Sequence, residues 1–330
     1  MYKKLFVILA IIASFFLGKY LENMRMLNQF EDKDIHVERS WSWSLINPLL
    51  ECELSTYGSN QKYIPFEDET KKKIQSDIVS KNSDIQISLY FRNLRNGPWF
   101  WLDEEKDFAP ASLMKLPVAI AYMKWSEYVP DIRNSFLSWV IDTSDEQNIV
   151  PNQSVQQWSS YKIDDLIKYA LIYSDNNANE TLIRNLPKDI ILKVFNDLNL
   201  PIIEQLEKWE NDYISVKEYA SFFRVLYNAS YLSDTNSYYL LDILSHSAMT
   251  WAIRASIPAD ITVAHKFWER RIQNPDLTFT SQFHDCGIVY YPNYPYIICI
   301  MTKWWDDMKR LEWIVEKTSE IVFSEIKKRY

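Results

Sequence analysis

The sequence predicts an α+β fold: one antiparallel sheet assembled from both chain ends, flanked by helices, with an all-α subdomain inserted between its halves. Three observations predict it. Strand-like alternation with a hairpin turn occupies residues 84–102. Helical periodicity then dominates from about 126 to 250. Strand signal returns over 261–301 and gives way to a last amphipathic segment. Two strands, a helical block, three strands and a closing helix fit a single sheet built from both ends of the chain.

Taken in order, the chain opens with Lys3 and Lys4 before an apolar run from Leu5 to Leu17, followed by Gly18 and Lys19. A basic flank before a 13-residue apolar core reads as a secretory signal or a signal-anchor over residues 1–18. The core is short for a span of ~20 residues. No A-x-A cleavage site stands near its end, so an anchor is expected in preference to a cleaved signal. Either way the flanking lysines favour an N-terminus inside and the rest of the chain on the extracytoplasmic face. Residues 19–83 read as a stalk and lead-in, with a helix around 68–80. The main domain is placed at 84–330.

Asp84 to Phe91 alternates apolar and polar residues, Asn96-Gly97 supplies a turn, and Pro98 to Leu102 returns. Residues 112–125 read as a helix with a kink at Pro117. Ile163, Leu166, Ile167, Ala170 and Leu171 mark one face of a helix over 160–172. Further helices are expected at about 187–198, 215–229 and 236–246. Strands follow at Ile261–Lys266, Gly287–Tyr291 and Tyr296–Met301, with a turn at Pro292–Pro295. Helical spacing of Leu311, Ile314, Val315, Ile321, Val322 and Ile326 closes the domain.

Composition narrows the function. The net charge of −8, from 36 basic and 44 acidic residues, supplies no field for a nucleic-acid backbone. The short runs Lys71-Lys72-Lys73, Glu269-Arg270-Arg271 and Lys327-Lys328-Arg329 read as solvated surface. Cys52, Cys286 and Cys299 make no disulfide framework, and His36, His246, His265 and His284 show no metal-ligand spacing. No metal or cofactor is expected. With the second hairpin centred on Asn293, position 286 would face 300, and Cys286 and Cys299 would be free thiols on opposite sheet faces unless a bulge intervenes.

Three motifs carry chemistry. Pro110-Ala-Ser112-Leu-Met-Lys115 places a serine and a lysine three residues apart at a helix start, on one face. Serine needs a base, and lysine serves as one only when burial or neighbouring cations lower its pKa. Tyr173-Ser174-Asp175-Asn176 ends the amphipathic helix, with Ser174 lying 62 residues after Ser112. Its serine could relay a proton and its Asn amide could hold a carbonyl. Val263-Ala-His265-Lys266 puts a lysine on the first strand of the C-terminal half.

In this order the three motifs resemble the active-site set of class A β-lactamases and penicillin-binding DD-peptidases: S-x-x-K, S-D-N and K-T-G. The strand–Asn-Gly–strand hairpin ahead of Ser112, Arg254-Ala-Ser-Ile-Pro258 and Asp285-Cys-Gly-Ile-Val-Tyr290 add to the likeness, which spans roughly residues 84–330. The resemblance implies a β-lactamase/transpeptidase-like fold and an acyl-enzyme on Ser112. It implies Lys115 as general base, Ser174 as proton shuttle, Asn176 orienting the substrate and Lys266 supplying positive potential. The backbone N–H groups of Ser112 and Glu269 would form the oxyanion hole. The substrate it implies is a cell-wall peptide or other cell-wall-related amide, or a β-lactam.

The motif set departs from the family at Phe267 and Trp268, which stand where K-T-G has Thr and Gly. The Glu-x-x-Leu-Asn loop used in deacylation is not recognisable, leaving Glu204, Glu207 and Glu210 as the available carboxylates. The position before Gly287, often basic in class A enzymes, is Cys286. Two alternatives to a hydrolase therefore stay open: a membrane-tethered pseudoenzyme that binds without turnover, and a sensor that is acylated and stays so.

Overall fold

A computed structural model of the chain describes residues 14, 17, 38–39, 44–51, 64–138, 153–198, 214–274, 276–305 and 307–330. The chain divides into two units, one of Met1–Ser40 with Leu49–Asn60 and one of Trp41–Pro48 with Gln61–Tyr330. In the first, Glu38–Arg39 pairs antiparallel with Leu49–Glu51. The second holds the sheet and the helices around it. Among the described residues no helix is long and apolar enough to cross a membrane. The Leu5–Leu17 run lies outside the described residues except for Ser14 and Leu17.

Five antiparallel strands form the sheet: β1 (Gln86–Asn93), β2 (Trp99–Leu102), β3 (Val263–Gln273), β4 (Phe279–Val289) and β5 (Tyr296–Trp305). Their order is β2-β1-β5-β4-β3, so a strand from before the helical block sits beside one from after it, as the order of elements predicts. β2 and β3 are the edge strands. Both faces are covered. One carries Leu89, Phe91, Phe100, Phe283, Ile298 and Ile300 against Ile314, Val315, Val322 and Ile326 of the last helix. The other carries Ala264, Trp268, Cys286, Ile288, Cys299 and Met301 against the helical subdomain.

The helices are α1 (Glu67–Asp77), α2 (Lys115–Ser126), α3 (Ile163–Ile172), α4 (Asn176–Asn185), α5 (Lys188–Asp197), α6 (Val216–Tyr227), α7 (Asp234–Ser245) and α8 (Met308–Lys327). Pro117 does not kink its helix. A 3₁₀ turn at Ala111–Met114 precedes α2, and Pro117 lies in the first α turn, where a missing N–H costs no intrahelical bond. α4 was not expected from the sequence; its buried face, Asn177, Ala178, Thr181 and Leu182, is half polar. Asp175 starts it by accepting from the N–H groups of Asn177 (2.8 Å) and Ala178 (3.3 Å).

The strands outrun the sequence expectation because their extensions are polar. β4 begins at Phe279 rather than Gly287, and its Gln282, His284 and Asp285 are buried. Each is partnered: Gln282 Oε1 accepts from Ala109 N, His284 Nδ1 from Thr302 N, and Asp285 meets His265 Nδ1 at 2.9 Å.

The cysteine expectation is corrected. Cys286 faces Cys299 across β4 and β5, and the two form a disulfide. The ladder closes with Val289 opposite Tyr296, so the turn centres between Pro292 and Asn293. That half-residue displacement from Asn293 brings both sulfurs onto one face. The basic runs are corrected in part. Lys73, Lys328 and Arg329 converge on the fully buried carboxylate of Glu325, with Lys328 at 2.7 Å and Arg329 at 2.6 Å, and so tie α1 to α8.

Candidate active site

The turn of Ser112, the α3–α4 junction and the edge strand β3 meet at one place. Tyr219 of α6 donates to the Leu113 carbonyl (3.0 Å) and fixes the turn that carries Ser112. One helical turn on, Lys115 points inward and is 2% exposed. Its ammonium donates to the Ser174 carbonyl (2.5 Å), to Asn176 Oδ1 (2.6 Å) and to Ser174 Oγ (3.1 Å). As an ammonium it would donate to all three; as a neutral amine it donates to two of them and keeps a lone pair.

Ser174 reaches both lysines because its backbone is left-handed, with φ of 56°. A non-glycine residue there is strained and needs surrounding structure to hold it. Asp175 supplies that hold, capping α4 with Oδ1 and accepting from Val155 N (2.8 Å) with Oδ2. Lys266, 0% exposed, completes the cluster by donating to Ser174 Oγ (2.8 Å) and to the Phe267 carbonyl (3.1 Å).

Burial sets the charge state of both lysines. It lowers Lys115 well below the usual amine range, the neighbouring Lys266 lowers it further, and Asp175 opposes. Burial brings Lys266 down to about 7 against the pull of Asp285. A neutral Lys115 beside a cationic Lys266 is the favoured arrangement, since two ammonium groups around one hydroxyl repel.

Ser112 itself is half-buried at the rim, and among the described residues no hydrogen bond holds its hydroxyl. The turn that carries it packs against β3, which includes Glu269. The structure thus gathers Lys115, Ser174, Asn176 and Lys266 in direct contact, with Ser112 one helical turn from Lys115. Glu204, Glu207 and Glu210 lie outside the described residues.

Trp268 is 2% exposed and lies on the same sheet face as Lys266, its ring 4.6 Å from that of His284. Phe267 alternates toward the other face of this edge strand, its ring 6.2 Å from that of Trp251 yet still 4.4 Å from the Lys266 ammonium. Tyr219, which fixes the Ser112 turn, was not singled out from the sequence, and His265 and Asp285, quoted only within their motifs, were given no role. Of the supporting roles only the cap of Asp175 has a local signature, an acidic residue directly before a helix. Among the described residues no three His, Cys, Asp or Glu converge as a metal site.

A model described as the beta-lactamase enzyme family matches residues 69–326. No curated protein matches the chain. Solved structures share the fold. PBP-A is 21% identical with a TM-score of 0.64, covering 79% of this chain and 96% of that one. A β-lactamase from Chitinophaga pinensis is 17% identical with a TM-score of 0.66, covering 78% and 99%. A class A β-lactamase from Mycobacterium abscessus is 19% identical with a TM-score of 0.64, covering 79% and 98%. The chain belongs to the β-lactamase enzyme family. It is a serine hydrolase of the β-lactamase type.

Proposed function

We propose that the protein is a membrane-tethered hydrolase of the extracytoplasmic face that forms an acyl-enzyme on Ser112 with a cell-wall-related amide or a β-lactam. The observation that carries this reading is the buried, charge-depressed Lys115 one helical turn from the Ser112 hydroxyl. Neutral Lys115 takes the hydroxyl proton as Ser112 Oγ bonds to the carbonyl carbon. Ser174, bonded to the Nζ atoms of both lysines, passes a proton to the departing nitrogen as the C–N bond breaks and takes back the one that Lys115 received from Ser112. The N–H groups of Ser112 and Glu269 receive the carbonyl oxygen. Asn176 orients the substrate amide, and Lys266 supplies positive potential. A penicillin acyl-enzyme of a PBP-A variant, 20% identical with a TM-score of 0.65, is one precedent on this fold.

Two features support the compartment. The Leu5–Leu17 run with its basic flank reads as the tether. The Cys286–Cys299 disulfide suits an oxidising environment.

The test is the intact mass of the full-length protein after a fluorescent penicillin and, separately, a fluorophosphonate, with Ser112→Ala as control. An adduct absent from Ser112→Ala establishes the activated serine, and its decay measures turnover. The buried Trp268 and Lys266 favour a second reading, an acylation sensor, whose mark is labelling without decay. No adduct with either probe would sink both readings and leave a binding protein.

A further inference from the structure

Among the described residues, the buried cation on this side of the site, Lys266, is already engaged. The ammonium donates to Ser174 Oγ and to the Phe267 carbonyl, and lies 4.4 Å from the centroid of the Phe267 ring. Two hydrogen bonds and an aromatic face occupy a group with three donors. Phe267 offers a ring and no hydroxyl. On the same face, Cys286 stands opposite Lys266 and is tied up in the disulfide, and His284 stands opposite Trp268. His284 sits between Trp268 and Phe108, and burial keeps it neutral with a pKa of about 3. An incoming carboxylate would be desolvated against Trp268 and an already satisfied ammonium, which costs free energy that no new ion pair offsets.

We propose that the acyl donor carries no carboxylate on the Lys266 side of the scissile bond: the substrate is a neutral amide, such as a peptide whose C-terminal carboxyl is amidated or esterified. This rests on the acyl-enzyme reading and narrows its substrate class. Arg270, the next residue on that face of β3, is the cation that could contradict it.

Two matched pairs of acyl donors test the proposal on the full-length protein, read as the rate of Ser112 acylation by intact mass. One pair is penicillin G and its methyl ester. The other is the phenylacetyl ester of 3-hydroxybenzoic acid and that of its methyl ester. In each pair only the carboxylate differs. The neutral member is expected to acylate Ser112 at least as fast as the acid. In Phe267→Thr/Trp268→Gly the acid should gain about tenfold or more relative to its ester, the margin of a charge-assisted hydrogen bond. Faster reaction of the acid in the native protein would overturn the proposal, and loss of that advantage in Arg270→Ala would name Arg270 as the anion site. An unchanged ratio in the double variant would overturn the roles of Phe267 and Trp268. Fluorophosphonate labelling without acylation by any of the four donors refutes the proposal and leaves the nucleophile standing. Failure of the fluorophosphonate as well refutes the acyl-enzyme reading itself.

Discussion

Burial and the charge of Lys266 act on Lys115 in the same direction, and the sign of their sum can be checked. Both disfavour the ammonium, so the folded pKa lies below the ordinary amine value and the neutral base is populated at lower pH. Removing the Lys266 charge removes one of the two causes. In Lys266→Met the Lys115 pKa should therefore rise, and the acid limb of the Ser112 labelling rate should move to higher pH. A pH profile of fluorophosphonate labelling for both proteins decides this; a limb that stays in place would show that burial alone sets the base. Lys115→Ala should slow labelling by about 10²–10⁴, the usual contribution of a general base.

The close approach of β3 to β4 depends on a missing side chain. Gly287 of β4 lies opposite His265, and a Cβ built there would stand 2.5 Å from both the Ala264 carbonyl oxygen and His265 Cβ. No rotamer relieves a clash with backbone. Gly287→Ala should push β3 away from β4 and lower stability by roughly 1–3 kcal/mol. It should also slow Ser112 labelling, because Lys266 rides on the displaced strand. Thermal unfolding and the labelling rate measure the two effects. Reading elements from the sequence worked where period and burial agree, as in α3 and β1. It failed where burial is bought with polar partners. The run from Phe279 to Cys286 shows no clean alternation, yet it is strand because Gln282, His284 and Asp285 each find a partner that lies far away in sequence. The disulfide escaped because its register depends on where a turn of Pro292 and Asn293 is centred, a half-residue matter that composition does not encode. Ser112, Lys115, Ser174, Asn176 and Lys266 were legible because their spacing is a motif. Tyr219, which fixes the turn of Ser112 from 106 residues away, follows no local pattern.

At the scale of the whole molecule, a buried carboxylate and a half-buried one pull stability in opposite directions with pH. Burial alone would raise Glu325, but hydrogen bonds from Lys328, Lys73 and Arg329 outweigh it and hold the carboxyl at about 2. Its contribution is present above the ordinary carboxylate pKa and is lost as pH falls through that folded value. Glu325→Gln should therefore lower the melting temperature at neutral pH and matter progressively less toward pH ~2. Glu269 behaves oppositely. Burial, aided by the neighbouring Glu312 of α8, raises it from 4.5 to about 7. The fold thus favours its protonated form, and the stability this gives is complete below the unfolded pKa and lost as pH rises through about 7. Glu269→Gln keeps the shape and removes the titration. The variant should match the native protein near pH ~4 and exceed it by about 1–3 kcal/mol above pH ~8, a partly exposed group counting for less than its full shift. Melting temperatures across that range test it. A variant that gains equally at both ends would mean that Glu269 destabilises by shape rather than by charge.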